Sequence, residues 1–198
     1  GFAKRGRGWL GQHSRSTSLS RKRKVSEMSI GVDTMTLIWG LKEIVPRQTT
    51  QDVEEMCRRA KILLTNLGSQ RIIVPTIAVS ELLCGVDAKN HGNFVAELKK
   101  RFFCPPFDLA ACAMAAVLFQ YGKTLPDKLA RPLLKADTMI IASVKTSGGA
   151  TFYSHDPACR KIAAHAGMEA LDLPTHYEDF LDDPTVAGSE AEESADQP

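Results

Sequence analysis

A chain of 198 residues is long enough for one domain with a single core, and 43% hydrophobic with 24% charged residues excludes a wholly disordered or collagen-like protein. The formal net charge of +2 does not describe a basic surface, because residues 1–24 hold eight Lys or Arg and no acid while residues 178–198 hold eight Asp or Glu and no base. The stretch between them is nearly balanced, so a global electrostatic argument for nucleic acid is absent.

Along the chain, residues 1–27 mix Lys and Arg with Ser and Gly and cannot bury enough apolar surface to order themselves, so a basic disordered extension is expected there. Arg21-Lys22-Arg23-Lys24 reads as an address signal, a polyanion-binding arm or untranslated sequence upstream of a start at Met28, and the last is the expectation. A domain is expected over residues 28–177, and an acidic disordered tail over 178–198.

The domain opens with Ser29-Ile30-Gly31-Val32-Asp33, an apolar run ending in an acid, followed by a short helix from Thr34 to Trp39 that closes at Gly40. Beyond a polar loop with Pro46, residues 51–67 place Val53, Met56, Cys57, Ala60, Leu63 and Leu64 at helical spacing. Arg71-Ile72-Ile73-Val74 is a β-branched run without alternation, the pattern of a strand covered on both faces, and Pro75 then sits where a helix can start. Helices are predicted over residues 76–84 and 94–101, and a short strand over 102–107, interrupted by Pro105 and Pro106. Asp108 is placed to cap an alanine-rich helix to Tyr121. Residues 122–132 read as an irregular linker and 133–146 as a helix. A strand over 150–154, a helix over 157–166 and a last strand over 168–173 complete the domain. Strands alternating with crossover helices give an α/β fold with a mostly parallel sheet, whose ligands are expected beyond the carboxyl ends of the strands.

Five cysteines, Cys57, Cys84, Cys104, Cys112 and Cys159, form no CxxC pair and fit neither a disulfide framework nor a zinc ribbon. They read as small buried apolar residues in a reducing compartment. No apolar run approaches the ~18 residues of a membrane span, and a cytoplasmic protein is expected.

The chemistry is suggested by acids in unusual settings. Glu81 has Ile77, Ala78, Cys84 and Gly85 as its helical neighbours, and Asp137 has Leu133, Leu134, Ile140 and Ile141, so both face apolar surface. Burying an unpaired carboxylate costs several kcal/mol, against a total stability of ~5–15 kcal/mol for a domain, so a base or a cation must be near. Lys135, Arg160 and Lys161 are candidate bases, and for Lys135 and Arg160 a surface role is expected. Asp33 and Asp156, at strand ends in the same topology, would make the cluster negative, and bound divalent metal resolves that excess. Each of these two also reads as a helix N-cap, with Pro157 in the first helical position after Asp156. All-carboxylate ligation suits Mg2+ or Mn2+, and no histidine spacing suits zinc.

The four stretches Ser29-Ile30-Gly31-Val32-Asp33-Thr34, Pro75-Thr76-Ile77-Ala78-Val79-Ser80-Glu81-Leu82-Leu83-Cys84-Gly85, Lys135-Ala136-Asp137-Thr138-Met139-Ile140-Ile141-Ala142-Ser143 and Phe152-Tyr153-Ser154-His155-Asp156 resemble, in order, the signature segments of PIN-domain ribonucleases, most closely the VapC-type toxins of bacterial toxin–antitoxin pairs. The resemblance spans about residues 28–175. It implies a three-layer α/β/α sandwich with a central, mostly parallel sheet. It further implies Mg2+ or Mn2+ held by Asp33, Glu81, Asp137 and Asp156, with Ser154 and Thr34 in support. An RNA substrate, a small antitoxin partner and a homodimer are expected on the same ground. His155 and Pro157 around Asp156 depart from the usual pattern.

Two rivals differ in class. Asp33-Thr34-Met35-Thr36 superficially resembles the nucleophile loop of haloacid-dehalogenase-like phosphatases, but Met35 stands where a proton-transferring acid is needed. The other rival is a catalytically silent PIN-like module that binds protein or RNA.

Overall fold

The computed structural model describes residues 29–41, 50–68, 70–126 and 130–176. The basic extension, the acidic tail and the loop around Pro46 lie outside these. Strand β1 (Ser29–Val32) is followed by α1 (Thr34–Leu41), α2 (Gln51–Asn66), β2 (Ile72–Ile73), α3 (Thr76–Leu83), α4 (His91–Arg101), α5 (Leu109–Gly122), α6 (Arg131–Thr146), β3 (Gly149–Tyr153), α7 (Pro157–His165) and β4 (Glu169–Leu171). All neighbouring strands are parallel, in the order β2-β1-β3-β4. The register pairs Gly31 with Ile73 on one side and with Phe152 on the other. Every residue of β1 and β2 is buried, as strands covered on both faces require. The result is the α/β/α sandwich expected.

Three predicted elements differ. Residues 102–107 form a single parallel bridge, Ile73 with Phe103, rather than a strand. The Phe103 N–H donates to Ile72 O (2.9 Å) and its carbonyl accepts from Val74 N (2.9 Å), but Pro105 contributes only its carbonyl, to Thr76 N (3.1 Å), and with no N–H at Pro105 or Pro106 the ladder stops. Helix α6 starts at Arg131, inside the predicted linker, because Pro132 in the first turn gives up an N–H that has no helical acceptor. A 3₁₀ turn, Ala88–Asn90, capped by Asp87, precedes α4 and extends that region beyond the predicted helix.

The cysteine expectation is also corrected. All five are free, but only Cys159 is buried, while Cys84 and Cys112 are exposed and Cys57 and Cys104 half-buried. Cys84 sits at the end of the short α3 and Cys112 on the outward side of α5, positions where residue type does not decide burial. No helix of the described residues is long and apolar enough to cross a membrane.

One packing detail positions the site. A Cβ added at Gly31 would lie 2.3 Å from Val144 Cγ1, and one at Gly149 2.4 Å from the same atom. The missing side chains let α6 lie tightly across β1 and β3. Val144 and Asp137 are seven residues apart, two turns along nearly the same helix face. The docking that seats Val144 on the sheet therefore carries Asp137 toward the carboxyl ends of the strands.

Candidate functional site

Asp33 leaves the end of β1 and starts α1. Its Oδ1 accepts the Thr36 N–H (2.6 Å), and its Oδ2 accepts the hydroxyl of Ser154 from the end of β3. Ser154 is fully buried and also accepts the Asp156 N–H at 3.0 Å. This one hydroxyl therefore ties two strand ends and two of the predicted acids together. Asp156 accepts the Ala158 N–H (2.7 Å), with Pro157 in the first helical position of α7. The cap readings of Asp33 and Asp156 both hold, and capping leaves each carboxylate in the cluster.

The other two acids arrive on helices. Glu81 of α3 accepts the hydroxyl of Thr34 from α1. Asp137 of α6 accepts a hydrogen bond from the Cys159 thiol, and a carboxylate oxygen of Asp137, one of Asp156 and the Cys159 sulfur all lie within 4.8 Å of one another. Segments more than a hundred residues apart in the chain are thus brought to one edge of the sheet.

The electrostatics follow from this crowding. Burial raises the Asp137 carboxyl to about 7, with the Asp156 charge adding to the effect, the Cys159 bond opposing it, and Glu81 and Asp33 contributing further. Burial also raises the Asp33 carboxyl above its ordinary value, against the hydrogen bonds from Ser154 and Thr36. The Cys159 thiol is pushed well above its ordinary range by burial and then by Asp137, Asp33 and Asp156. In the metal-free protein this keeps Cys159 as the S–H donor to Asp137. The carboxylate oxygens around it are donors that fit Mg2+ or Mn2+.

The candidate bases differ in burial. Lys135 and Lys161 are exposed. Arg160, expected on the surface, is half-buried. Its Nη1 donates to the carbonyls of Ser154 (2.7 Å) and His155 (2.8 Å) and lies 3.5 Å from Asp172 Oδ1. It braces the loop that carries Ser154 and Asp156. Asp172, just past β4, also accepts from His155 Nδ1 (3.0 Å) and the Leu173 N–H (2.7 Å), and lies 3.5 Å from Arg59. Burial pushes its carboxyl up, but these partners hold it below the usual carboxylate value. Sequence reasoning missed Asp172, Cys159 and Trp39. Only Asp172 had a signal, its place after the last strand.

Two cavities bear on function. The larger, about 750 Å³ between α5 and α6, includes Phe107, Phe119, Arg131 and Met139 and none of the four acids. The smaller, about 280 Å³, is lined by Asp33 and Asp156 themselves. The smaller one adjoins the chemistry.

No protein-family model matches the sequence, and no curated protein matches it. Solved structures do. One similar chain belongs to the DNA-bound VapBC of Salmonella typhimurium, with 14% identity over 74% of this chain and 99% of that one and a TM-score of 0.52. Another belongs to VapBC2 of Rickettsia felis bound to a DNA fragment from their promoter, with 10% identity over 74% of this chain, 100% of that one and a TM-score of 0.50. With the parallel sheet β2-β1-β3-β4 layered between helices and matched along nearly the whole of both those chains, this protein has the PIN-like α/β/α fold.

Proposed function

We propose that this chain is a metal-dependent endoribonuclease that hydrolyses RNA phosphodiester bonds, and that it serves as the toxin of a VapBC-like pair. The observation that carries this reading is the convergence of Asp33, Glu81, Asp137 and Asp156 from four separate elements onto one sheet edge. Asp33, Glu81 and Asp137 would hold the principal Mg2+ or Mn2+, and Asp156 would complete the site or recruit a second ion. Such ions, when bound, lower the pKa of water and offset charge on a phosphodiester. The chain's own work is to place them. Ser154 orients Asp33 and fixes the backbone at Asp156, Thr34 orients Glu81, and the docking of α6 sets Asp137. Hydrolysis is expected to leave a 5′-phosphate and a 3′-hydroxyl.

The VapBC neighbours support a small antitoxin partner for this chain, expected to cover the carboxylates with a basic side chain. A homodimer, a nuclease domain over residues 28–177 and a cytoplasmic location belong to the same proposal. The test is incubation of the full chain, free of antitoxin, with end-labelled structured and single-stranded RNAs in Mg2+ or Mn2+. Cleavage abolished by chelator and by Asp137→Asn supports the reading. No cleavage, together with no Asp137-dependent binding of Mn2+ by calorimetry, leaves the silent module in its place.

A further inference from the structure

Beside the carboxylates lies the cavity of about 280 Å³, whose apolar wall is Met35, Trp39 and Pro157 and whose polar wall includes His155 and Asp172. We infer that this pocket takes one unpaired nucleobase next to the scissile phosphate, with Trp39 and His155 as its walls. The inference rests on the ribonuclease reading for the identity of the substrate and adds the residues of this chain that hold a base.

Four observations carry it. Asp33 and Asp156 line both the pocket and the carboxylate cluster, so a ring in the pocket is one nucleotide's reach from a phosphate at the cluster. Met35 and Trp39 are four residues apart on α1, on one face of the helix, and form a continuous apolar ledge. Trp39 and His155 meet edge to face, with centroids 6.2 Å apart and planes at 66°. That arrangement is a corner rather than a closed stack, and a third flat ring can lie against one of its faces. Finally, His155 is held by Asp172 at 3.0 Å, and Asp172 is itself held by the Leu173 N–H. The corner is built before any ligand arrives.

Size and charge select the occupant. Drug-sized ligands need clefts of about 300–1,000 Å³, so this pocket suits a single flat group. Asp33, Asp156 and Asp172 outnumber Arg160 among its charged walls, which disfavours a free phosphate there and leaves the uncharged heterocycle as the part of a nucleotide that fits. A base inside a duplex cannot reach such a corner, whereas one splayed from a single strand stacks on aromatic side chains.

The test uses the full chain with Trp9→Phe, so that Trp39 is the one remaining tryptophan. In chelator, a single-stranded decaribonucleotide is expected to quench Trp39 emission. The same sequence as a duplex, or with an abasic ribose at the pocketed position, is expected to leave it unchanged. In Mn2+, Trp39→Ala should raise KM for the intact strand about ten-fold with kcat held within about two-fold, and Trp39→Phe should restore most of the loss. On the abasic strand the Trp39→Ala and parent proteins should have equal KM. The inference is overturned if emission ignores single-stranded RNA, or if Trp39→Ala weakens the abasic and intact strands alike, as loss of packing alone would do. Should Trp39→Ala fail to fold, the KM of the parent protein on the intact and abasic strands makes the same comparison, and equal values overturn the inference. If the parent protein cuts no RNA at all, the ribonuclease reading fails, and the emission experiment still decides the pocket.

Discussion

Replacing Asp137 by Asn should stabilise the metal-free protein while abolishing its activity, and the size of the gain should depend on pH. The Asp137 carboxyl moves from an ordinary 3.8 to about 7 in the fold. At about 1.4 kcal/mol per pH unit, the native state at pH ~8 carries a burden of ~4 kcal/mol from ionising this group. The sign follows from the upward shift. Well below pH ~4 the carboxyl is protonated in both folded and unfolded chains and contributes nothing. Between pH ~4 and ~7 the unfolded chain releases the proton and the folded chain resists, so stability falls as pH rises, and above ~7 the loss is complete. Asparagine is neutral throughout, nearly isosteric, and keeps an oxygen for the Cys159 S–H. Urea unfolding in chelator, followed by far-ultraviolet circular dichroism, should therefore find Asp137→Asn more stable by up to ~4 kcal/mol at pH ~8 and by only ~1 kcal/mol at pH ~4.5. Adding Mn2+ at pH ~8 should raise the midpoint of the parent protein and move that of the variant much less. An Asn variant that is no more stable at pH ~8, or whose advantage is the same at both pH values, refutes the reasoning.

Ser154→Ala removes a fully buried hydroxyl and strands both Asp33 Oδ2 and the Asp156 N–H. A loss of ~2 kcal/mol in urea unfolding is expected, with weaker Mn2+ binding by calorimetry, and unchanged values for both would contradict the bridging role. Gly31→Ala puts a methyl 2.3 Å from Val144 Cγ1 and should cost ~1–3 kcal/mol by overpacking. Val144→Ala in the same chain should recover much of that. Strict additivity of the two substitutions would mean that α6 does not press on β1 there.

Local chemistry was legible in the sequence. The β-branched run at Ile72 and Ile73 pointed to the buried strand, helical spacing of apolar residues pointed to α2, and the caps at Asp108 and Asp156 are present as hydrogen bonds. The apolar flanks of Glu81 and Asp137 identified acids facing the wrong way, and the structure brings both to the edge where Asp33 and Asp156 stand. What stayed hidden depends on contacts across the chain. The bond from Ser154 to Asp33 joins residues 121 positions apart, and Arg59 reaches the carbonyl of Leu173 across 114. No periodicity encodes such pairs. Nor does any encode the Trp39–His155 corner, which exists only once the end of α1 and the loop after β3 are neighbours. Arg160 was misjudged for a related reason: a cation with two backbone carbonyls to bind has a place inside, but the sequence does not show where those carbonyls will be.

The double duty of Asp33 and Asp156 bears on how this protein would drift if its chemistry were no longer needed. A helix start is satisfied by Asn or Ser nearly as well as by Asp, so either position could lose its charge with α1 and α7 still properly begun. At Asp137 the bias is stronger, since loss of the charge relieves the fold. Random substitution would erase three of the four carboxylates with little resistance from folding, and selection for stability would hasten the third.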